Sequence, residues 1–375
     1  MQIKNGLILK DDFKFSKGNI SFTDKITGFD KECENDVYFD ADGCYVIPGL
    51  IDTHMHAAVG ETFIDFTPET AEKICAFSAK HGTTTLIPTL SAAREEKMIS
   101  AIKYIVGASK NAMPKCAKIL GIHLEGPFFA QKYKGAHLPE NIRIPTIDEF
   151  DRLYRASQGL VKIITMAPEL ENGIEVVKHI AGKGVSVSVG HSDADFETAC
   201  RAFDEGALRT THTFNAMSPL SHRKPGVVGA AMSRSDVSCE LICYFFHVHP
   251  EVVKLLYTIK GSDRITVITD SEVGTGMPNG KYEVNGRFLT VENGKTYTED
   301  GTIAGGTSVM LDGVRNLVSI GVRLEDAVKC ASINAAKAAG IENTVGSLAV
   351  GKNADIVVLD KKLEVVKVFV NGVEV

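Results

Sequence analysis

Residues 45–56 read YVIPGLIDTHMH: an apolar, β-branched run punctuated by Pro-Gly and closed by a polar tail. A short apolar run of this kind, bounded by turn residues, reads as a buried strand. The pattern returns as TTTLIPTL (83–90), AKILGIHLE (117–125), VKIITMAPE (161–169), VSVSVGH (185–191), LRTTHTF (208–214), CELICYFF (239–246) and RITVITD (264–270). Between the runs lie amphipathic stretches such as PETAEKICAFSAKHG (68–82) and DFETACRAFDEG (195–206), with acids near their starts and a glycine at their ends. Those are helix start and stop signals. Eight strand-like runs alternating with helices predict an α/β fold, a closed parallel (β/α)8 TIM-like barrel. An open doubly wound sheet is the competing arrangement, but no GxGxxG follows the first run.

The ends of the chain have a different texture. QIKNGLIL, GNISF and DVYFDADGCYVIPG are short alternating segments with Asn5-Gly6 and Asp42-Gly43 turns, and residues 346–375 look alike, with Asn371-Gly372. Such dipeptides between apolar runs mark hairpins. The expectation is a small β-sandwich domain formed by residues 1–49 and 344–375, with the catalytic barrel over 50–343. A long interruption follows the eighth run, from about residue 271 to 306, with Asn285-Gly286 and Asn293-Gly294 turns. It reads as a β-hairpin insertion over the barrel mouth.

Composition limits the partners. With 375 residues, 44% hydrophobic and 23% charged, the chain is an ordinary globular one, long enough for a large core. Forty-one basic residues against forty-seven acidic ones give a net charge of −6, and no basic block stands out. That balance argues against nucleic acid or a membrane surface and for a small molecule. The eight cysteines are scattered with no CxxC, the start MQIKNGLILKDD lacks the apolar run of a signal peptide, and no apolar stretch approaches bilayer length. A cytoplasmic protein with reduced thiols is expected.

The polar residues that close the runs carry the chemistry. His54 and His56 end the first run two residues apart, so strand alternation turns both imidazoles the same way. Glu125 ends the third run, His191 the fifth, His212 the sixth and Asp270 the eighth. A lone strand-end histidine is commonly structural, and a lone strand-end aspartate commonly caps the next helix. Six such groups at the carboxyl ends of barrel strands, where barrels place their active sites, form one metal-competent rim. Imidazole and carboxylate together suit Zn²⁺, Fe²⁺ or Mn²⁺ without choosing among them. His81 sits at a helix end, His179 on a helix surface, and His222 and His249 in surface positions; the spacing gives His123 no clear role.

The stretches PGLIDTHMH (48–56), HLEGPFF (123–129), GAH (135–137), VGHSDAD (189–195), THTFNAMSPL (211–220), PGVVGAAM (225–232), HVHP (247–250), ITDSEVGTGMPNGKY (268–282), AGGTSVM (304–310) and GSLAVGKNADIVVLD (346–360) run through nearly the whole chain. Together they resemble the amidohydrolase superfamily and, within it, the N-acetylglucosamine-6-phosphate deacetylases. The resemblance implies one or two divalent ions per subunit, held by Glu125, His191 and His212, with His54 and His56 resembling the pair that helps bind a second. It implies hydrolysis of N-acetyl-D-glucosamine 6-phosphate to D-glucosamine 6-phosphate and acetate, in amino-sugar catabolism and cell-wall recycling, by metal-bound hydroxide with Asp270 as acid/base. Ala136 with His137, Asn215 with Ala216, and Ile303, Ala304 and Gly305 match segments that contact the sugar and its acetamide. Arg223 and His247 match a phosphate-binding pair, His247 reaching the neighbouring subunit of a homodimer.

Two departures stand out. Tyr244-Phe245-Phe246 precede His247 where the family usually has Asp-Gly, and Ser271-Glu272 follow Asp270 where small apolar residues are usual. The galactosamine epimer is the close alternative substrate. A cyclic amidohydrolase of the dihydroorotase sort would need a modified lysine on the fourth strand, and Lys162 stands at that strand's wrong end. A catalytically dead barrel would be expected to have lost ligands.

Overall fold

A computed structural model describes residues 1–30, 37–111, 113–284, 287–299, 301 and 303–375. Its barrel strands, in chain order, are β1 (Leu50–Met55), β2 (Thr83–Ser91), β3 (Ile122–Glu125), β4 (Val161–Met166), β5 (Ser186–Val189), β6 (Ala207–Thr210), β7 (Ser238–Ile242) and β8 (Ile265–Ile268). Each pairs in parallel with its chain neighbour from β1 to β8. The seam between β8 and β1 closes through a bridge from Met55 to Ser271, the Asp270 N–H donating to the His54 carbonyl at 2.9 Å, and the Thr269 hydroxyl donating to Asp52 at 2.5 Å. The predicted (β/α)8 barrel is the observed one.

Helices fill the outer ring because their sequences have one apolar face, and some of them a capped start as well. Pro68–Lys80 buries Ala71, Ile74, Cys75 and Ala79, the i, i+3, i+4, i+8 pattern of one helix face, and its first turn is capped by Thr67. Thr146 and Asp195 cap the helices Ile147–Ala156 and Phe196–Asp204 in the same way. On β4, Ile164 and Met166 join the core shared with the helices, while Thr165 turns inward. Inside the barrel Thr165 meets His123 at 2.8 Å and Thr211 at 2.7 Å, and Thr211 donates to Ser188 at 2.7 Å. The barrel's centre is thus a hydrogen-bonded polar layer, on which the rim residues stand.

The two chain ends pair into one eight-stranded mixed sheet. In it Tyr45–Pro48 lies between Ile356–Leu359 and Gln2–Leu9. The sheet bends over its own core: Phe22 and Phe369, from strands well apart in the sheet order, meet edge-on at 5.2 Å. Lys118, beside the barrel, reaches Asp355 and Asn371 of this sheet.

Two details differ from the sequence reading. The first run is two strands: Tyr45–Pro48 belongs to the end sheet and Leu50–Met55 to the barrel. The break falls at Gly49, because the backbone there passes against Thr84; a Cβ would lie 2.0 Å from the Thr84 hydroxyl and 2.5 Å from its methyl. The interruption after β8 carries four antiparallel strands, Gly280–Val284, Arg287–Glu292, Lys295–Thr298 and Ile303–Gly306, where one hairpin was expected. The Asn285-Gly286 turn and Cys33 lie outside the described residues. No helix among the described residues is long and apolar enough to cross a membrane.

Gly49→Ala should cost about 1–3 kcal/mol by overpacking, read as a lowered thermal midpoint. Adding Thr84→Ala removes the two shortest contacts and leaves one at 2.7 Å, so it should restore part of the loss. An unshifted midpoint in the single variant would contradict the packing described at this junction.

Candidate metal centre and active site

The rim residues reach the barrel axis through unusual backbone. His191, His212 and Asp270 each follow a strand by two residues and have φ of 51°, 29° and 49°. Left-handed conformations are costly for side-chain-bearing residues and collect at functional sites. Here the reversal swings each side chain inward over the strand end. Glu125 and His54 arrive directly from β3 and β1.

Five side chains then converge. The Glu125 Oε1 lies 3.2 Å from the Nε2 atoms of His54, His191 and His212, and Oε2 lies 3.2 Å from Nε2 of His56. The Nε2 atoms of His191 and His212 are 3.1 Å apart, and those of His54 and His56 are 3.3 Å apart. Two clusters sharing Glu125 result: His54–His56–Glu125 and Glu125–His191–His212, all buried.

The other ring nitrogens decide what these clusters fit. The His191 Nδ1 donates to the Tyr133 carbonyl at 2.7 Å, and the His212 Nδ1 to the Asn215 carbonyl at 3.1 Å. A carbonyl only accepts, so the proton of each neutral ring sits on Nδ1 and Nε2 presents a lone pair. With both rings neutral, two lone pairs and a carboxylate oxygen face one another with no hydrogen between them. A cation resolves that arrangement, and imidazoles held by outer-shell acceptors are how metal ligands are oriented. The residues fit a divalent ion in the Glu125–His191–His212 cluster. In the second cluster His56 Nδ1 meets Ser91 Oγ at 2.9 Å and His54 Nδ1 meets Glu240 Oε2 at 3.1 Å, again leaving Nε2 inward.

Burial would lower His56, but Glu125 and Asp270 beside it push its pKa up to about 10. Burial brings His191 down to about 4 despite Glu125. Burial would raise Glu125 and Asp270, yet the surrounding imidazoles hold both well below the usual carboxylate range. Glu125 and Asp270 also raise His54 and His212 against burial, so the imidazoles balance these carboxylates by holding protons that a divalent ion would displace from the same nitrogens.

Asp270 sits at the edge of this cluster, with Oδ1 3.4 Å from His54 Nε2 and 3.3 Å from His56 Nε2. Above it opens a cavity of about 930 Å³. Ala136, His137, Asn215, Ala216, His247 and Gly305 all line it. His137 Nε2 also reaches Glu125 Oε2 at 3.1 Å. Gly305, from the last strand of the insertion, passes so close that a Cβ would sit 2.5 Å from the Asp270 carbonyl, at a φ of +61°. For Ile303 and Ala304 only the strand is described; their side chains lie outside the described residues.

Other positions fall differently. Arg223 is exposed and does not line the cavity, whereas His247 lines the cavity of its own chain. Glu272 turns inward to the cavity, where burial brings its carboxyl up to about 7. Tyr244 and Phe246 turn to the insertion: the Tyr244 hydroxyl donates to the Gly294 carbonyl at 2.8 Å, and Phe246 packs edge-on against Tyr297 at 5.9 Å. His123, without a clear role in the sequence, packs edge-on against His54 with ring centres 4.6 Å apart. Sequence reasoning missed Glu240, Arg209 and Ser91. An acid inside CELICYFF and a cation inside LRTTHTF, each interrupting a run read as a buried strand, were the available signals.

A family model described as Amidohydrolase family matches residues 45–375. The N-acetylglucosamine-6-phosphate deacetylase of Bacillus subtilis (strain 168) is 33% identical over 375 residues, covering 99% of this chain and 92% of that protein. The N-acetylgalactosamine-6-phosphate deacetylase of Escherichia coli O157:H7 is 35% identical, covering 89% of this chain and 88% of that protein. A mutant N-acetyl-D-glucosamine-6-phosphate deacetylase from Mycobacterium smegmatis, solved with N-acetyl-D-glucosamine 6-phosphate, superposes with a TM-score of 0.93 at 30% identity, covering 100% of this chain and 98% of that one.

Glu125 touches every imidazole, so Glu125→Ala should strip the bound ion, while Asp270→Asn should keep it; elemental analysis of the purified variants reads both. Chelation of the wild-type protein should lower its thermal midpoint, since a ligand at 100 times its Kd contributes about 2.7 kcal/mol to the folded state. Retained stoichiometric metal in Glu125→Ala would contradict the assignment.

Proposed function

The chain belongs to the amidohydrolase family, and from that premise we propose that it is a metal-dependent N-acetylglucosamine-6-phosphate deacetylase. It hydrolyses N-acetyl-D-glucosamine 6-phosphate to D-glucosamine 6-phosphate and acetate, in amino-sugar catabolism and cell-wall recycling. The observation that carries this reading is the convergence of lone-pair nitrogens on Glu125 with an ionised Asp270 at their edge. Relatives alike over nearly the full chain, and a neighbour solved with this sugar phosphate, support the substrate.

A divalent ion, Zn²⁺, Fe²⁺ or Mn²⁺, held by Glu125, His191 and His212 with His54 and His56 available to a second, supplies Lewis acidity to the acetamide carbonyl and to water. This chain's residues do the rest. Asp270, held ionised by the neighbouring imidazoles, takes a proton from water as its oxygen bonds to the acetamide carbon. Asp270 then returns the proton to the sugar nitrogen, the C–N bond breaks, and acetate and the free amine leave. His137, Asn215, Ala216, Ala136 and Gly305 bound the sugar, with Ile303 and Ala304 on the same strand as Gly305.

For the phosphate, His247 offers a buried Nδ1 with no partner among the described residues, at the cavity wall. Arg223 stands outside its own cavity on an exposed loop, so a phosphate contact from it requires a second copy of the chain. In the proposed homodimer Arg223 reaches across the subunit boundary; the sequence reading gave that reach to His247, which lines the cavity of its own chain. A guanidinium bonds two phosphate oxygens at once, which suits it to that reach. Seven cysteines unpaired among the described residues support a cytoplasmic setting.

A second substrate reading has its own support: the Escherichia coli relative acts on the galactosamine epimer by name. Acetate release should be measured on both phosphorylated epimers and on the unphosphorylated sugar. We expect the glucosamine phosphate to be preferred, and Asp270→Asn to lose about 10²–10⁴ in kcat with its metal retained. Faster turnover of the epimer would move the substrate and keep the mechanism; no acetate from a metal-loaded enzyme would overturn the deacetylase reading. Mixing and refolding Asp270→Asn with Arg223→Ala should restore up to about a quarter of wild-type activity if Arg223 crosses the dimer, and none if it acts within its own chain.

A further inference from the structure

Beneath the site lies a buried charged pair that the reaction itself does not use. Glu240 of β7 is fully buried inside the barrel, and Arg209 of the adjacent β6 is nearly so. The Arg209 Nη2 donates to Glu240 Oε1 at 2.8 Å, and the other oxygen, Oε2, lies 3.1 Å from His54 Nδ1. The His212 backbone N–H also points to Oε2, at 3.4 Å. Arg209 Nε has no partner among the described residues, so Glu240 is the group that chiefly offsets the burial of this guanidinium.

We propose that Glu240 and Arg209 are positioning residues that fix the tautomer and orientation of His54, and so build the second cation position at His54, His56 and Glu125. This rests on the reading that the chain binds divalent metal. A carboxylate accepts only and Arg209 donates only, so the order Arg209–Glu240–His54 leaves a single hydrogen-bonding pattern. Both carboxylate oxygens accept, the His54 proton sits on Nδ1, and the Nε2 lone pair faces Glu125 and Asp270 at 3.2 and 3.4 Å. The other ligand histidines are oriented by backbone carbonyls or a serine; of the four, only His54 relies on a buried ion pair.

The directionality makes a sharp test. In Glu240→Gln the introduced amide must turn its oxygen to Arg209, which can only donate. Its NH2 then faces His54 Nδ1, which has to accept, and the ring proton moves to Nε2, the ligand nitrogen. Removing the guanidinium as well, in Glu240→Gln/Arg209→Met, lets the amide turn around and accept from Nδ1 again. The pair of variants separates tautomer control from loss of charge or packing.

Apo-protein titrated with Co²⁺, followed by its visible absorbance and by competition with a chelating dye, reads each ion in turn. The wild type should take up two ions. Glu240→Gln should weaken the second about 10- to 100-fold and leave the first unchanged, and the double variant should recover most of that loss. One-ion uptake by the wild type, unchanged second-ion affinity in Glu240→Gln, or a double variant no better than the single would each overturn the proposal. Should Glu240→Gln fail to fold, nitrogen-15 NMR of the zinc-loaded wild type decides: an exchange-protected His54 Nδ1–H supports the proposal, and its absence overturns it. A wild type that turns over sugar phosphate with metal bound, beside a Glu240→Gln variant of unchanged affinities, defeats this proposal alone. A wild type that takes up no ion and releases no acetate defeats the deacetylase reading with it.

Discussion

At the barrel mouth the acceptor nitrogens of His191 and His212 face each other at 3.1 Å, with a Glu125 oxygen 3.2 Å from each. With both rings neutral, no described residue donates a hydrogen into that gap, because each ring has its proton committed outward to a backbone carbonyl. Such crowding of lone pairs is unfavourable without a cation. The surrounding fold can be understood as what is needed to hold it open. Left-handed backbone at His191, His212 and Asp270 aims the side chains, and the polar layer of Thr165, Thr211, Ser188 and His123 supports them from below.

The same constraint divides labour around the site. The barrel supplies ligands and their outer-shell acceptors. The insertion after β8 supplies a wall, since Gly305 passes directly over the Asp270 carbonyl and Leu289 and Thr298 line the cavity. The Tyr244 and Phe246 departure has a structural account here: both side chains grip the insertion, at Gly294 and at Tyr297. Lys295 adds a cation over the Phe246 ring at 4.2 Å. Tyr244 and Phe246 together form an aromatic clasp between barrel and insertion.

Much of this was legible in the sequence because strand ends in a parallel barrel share one rim. His54, His56, Glu125, His191, His212 and Asp270 each close an apolar run, and the structure brings all six together. What the runs could not convey was facing and partition. Glu240 and Arg209 sit within apolar strands, and only the strand's inward or outward parity tells that they meet inside the barrel. The split at Gly49 depends on contact with Thr84, a neighbour in space and not in the chain. The position of Arg223 outside the cavity depends on loop geometry that no periodicity encodes.

The account stands on Nε2 coordination of a cation between Glu125, His191 and His212. Anomalous diffraction at the zinc edge, from crystals grown with zinc, measures this directly. It should give a peak about 2.0–2.2 Å from both Nε2 atoms and from a Glu125 oxygen. No peak at that position, or an ion bound through Nδ1 with the imidazoles turned around, would contradict it.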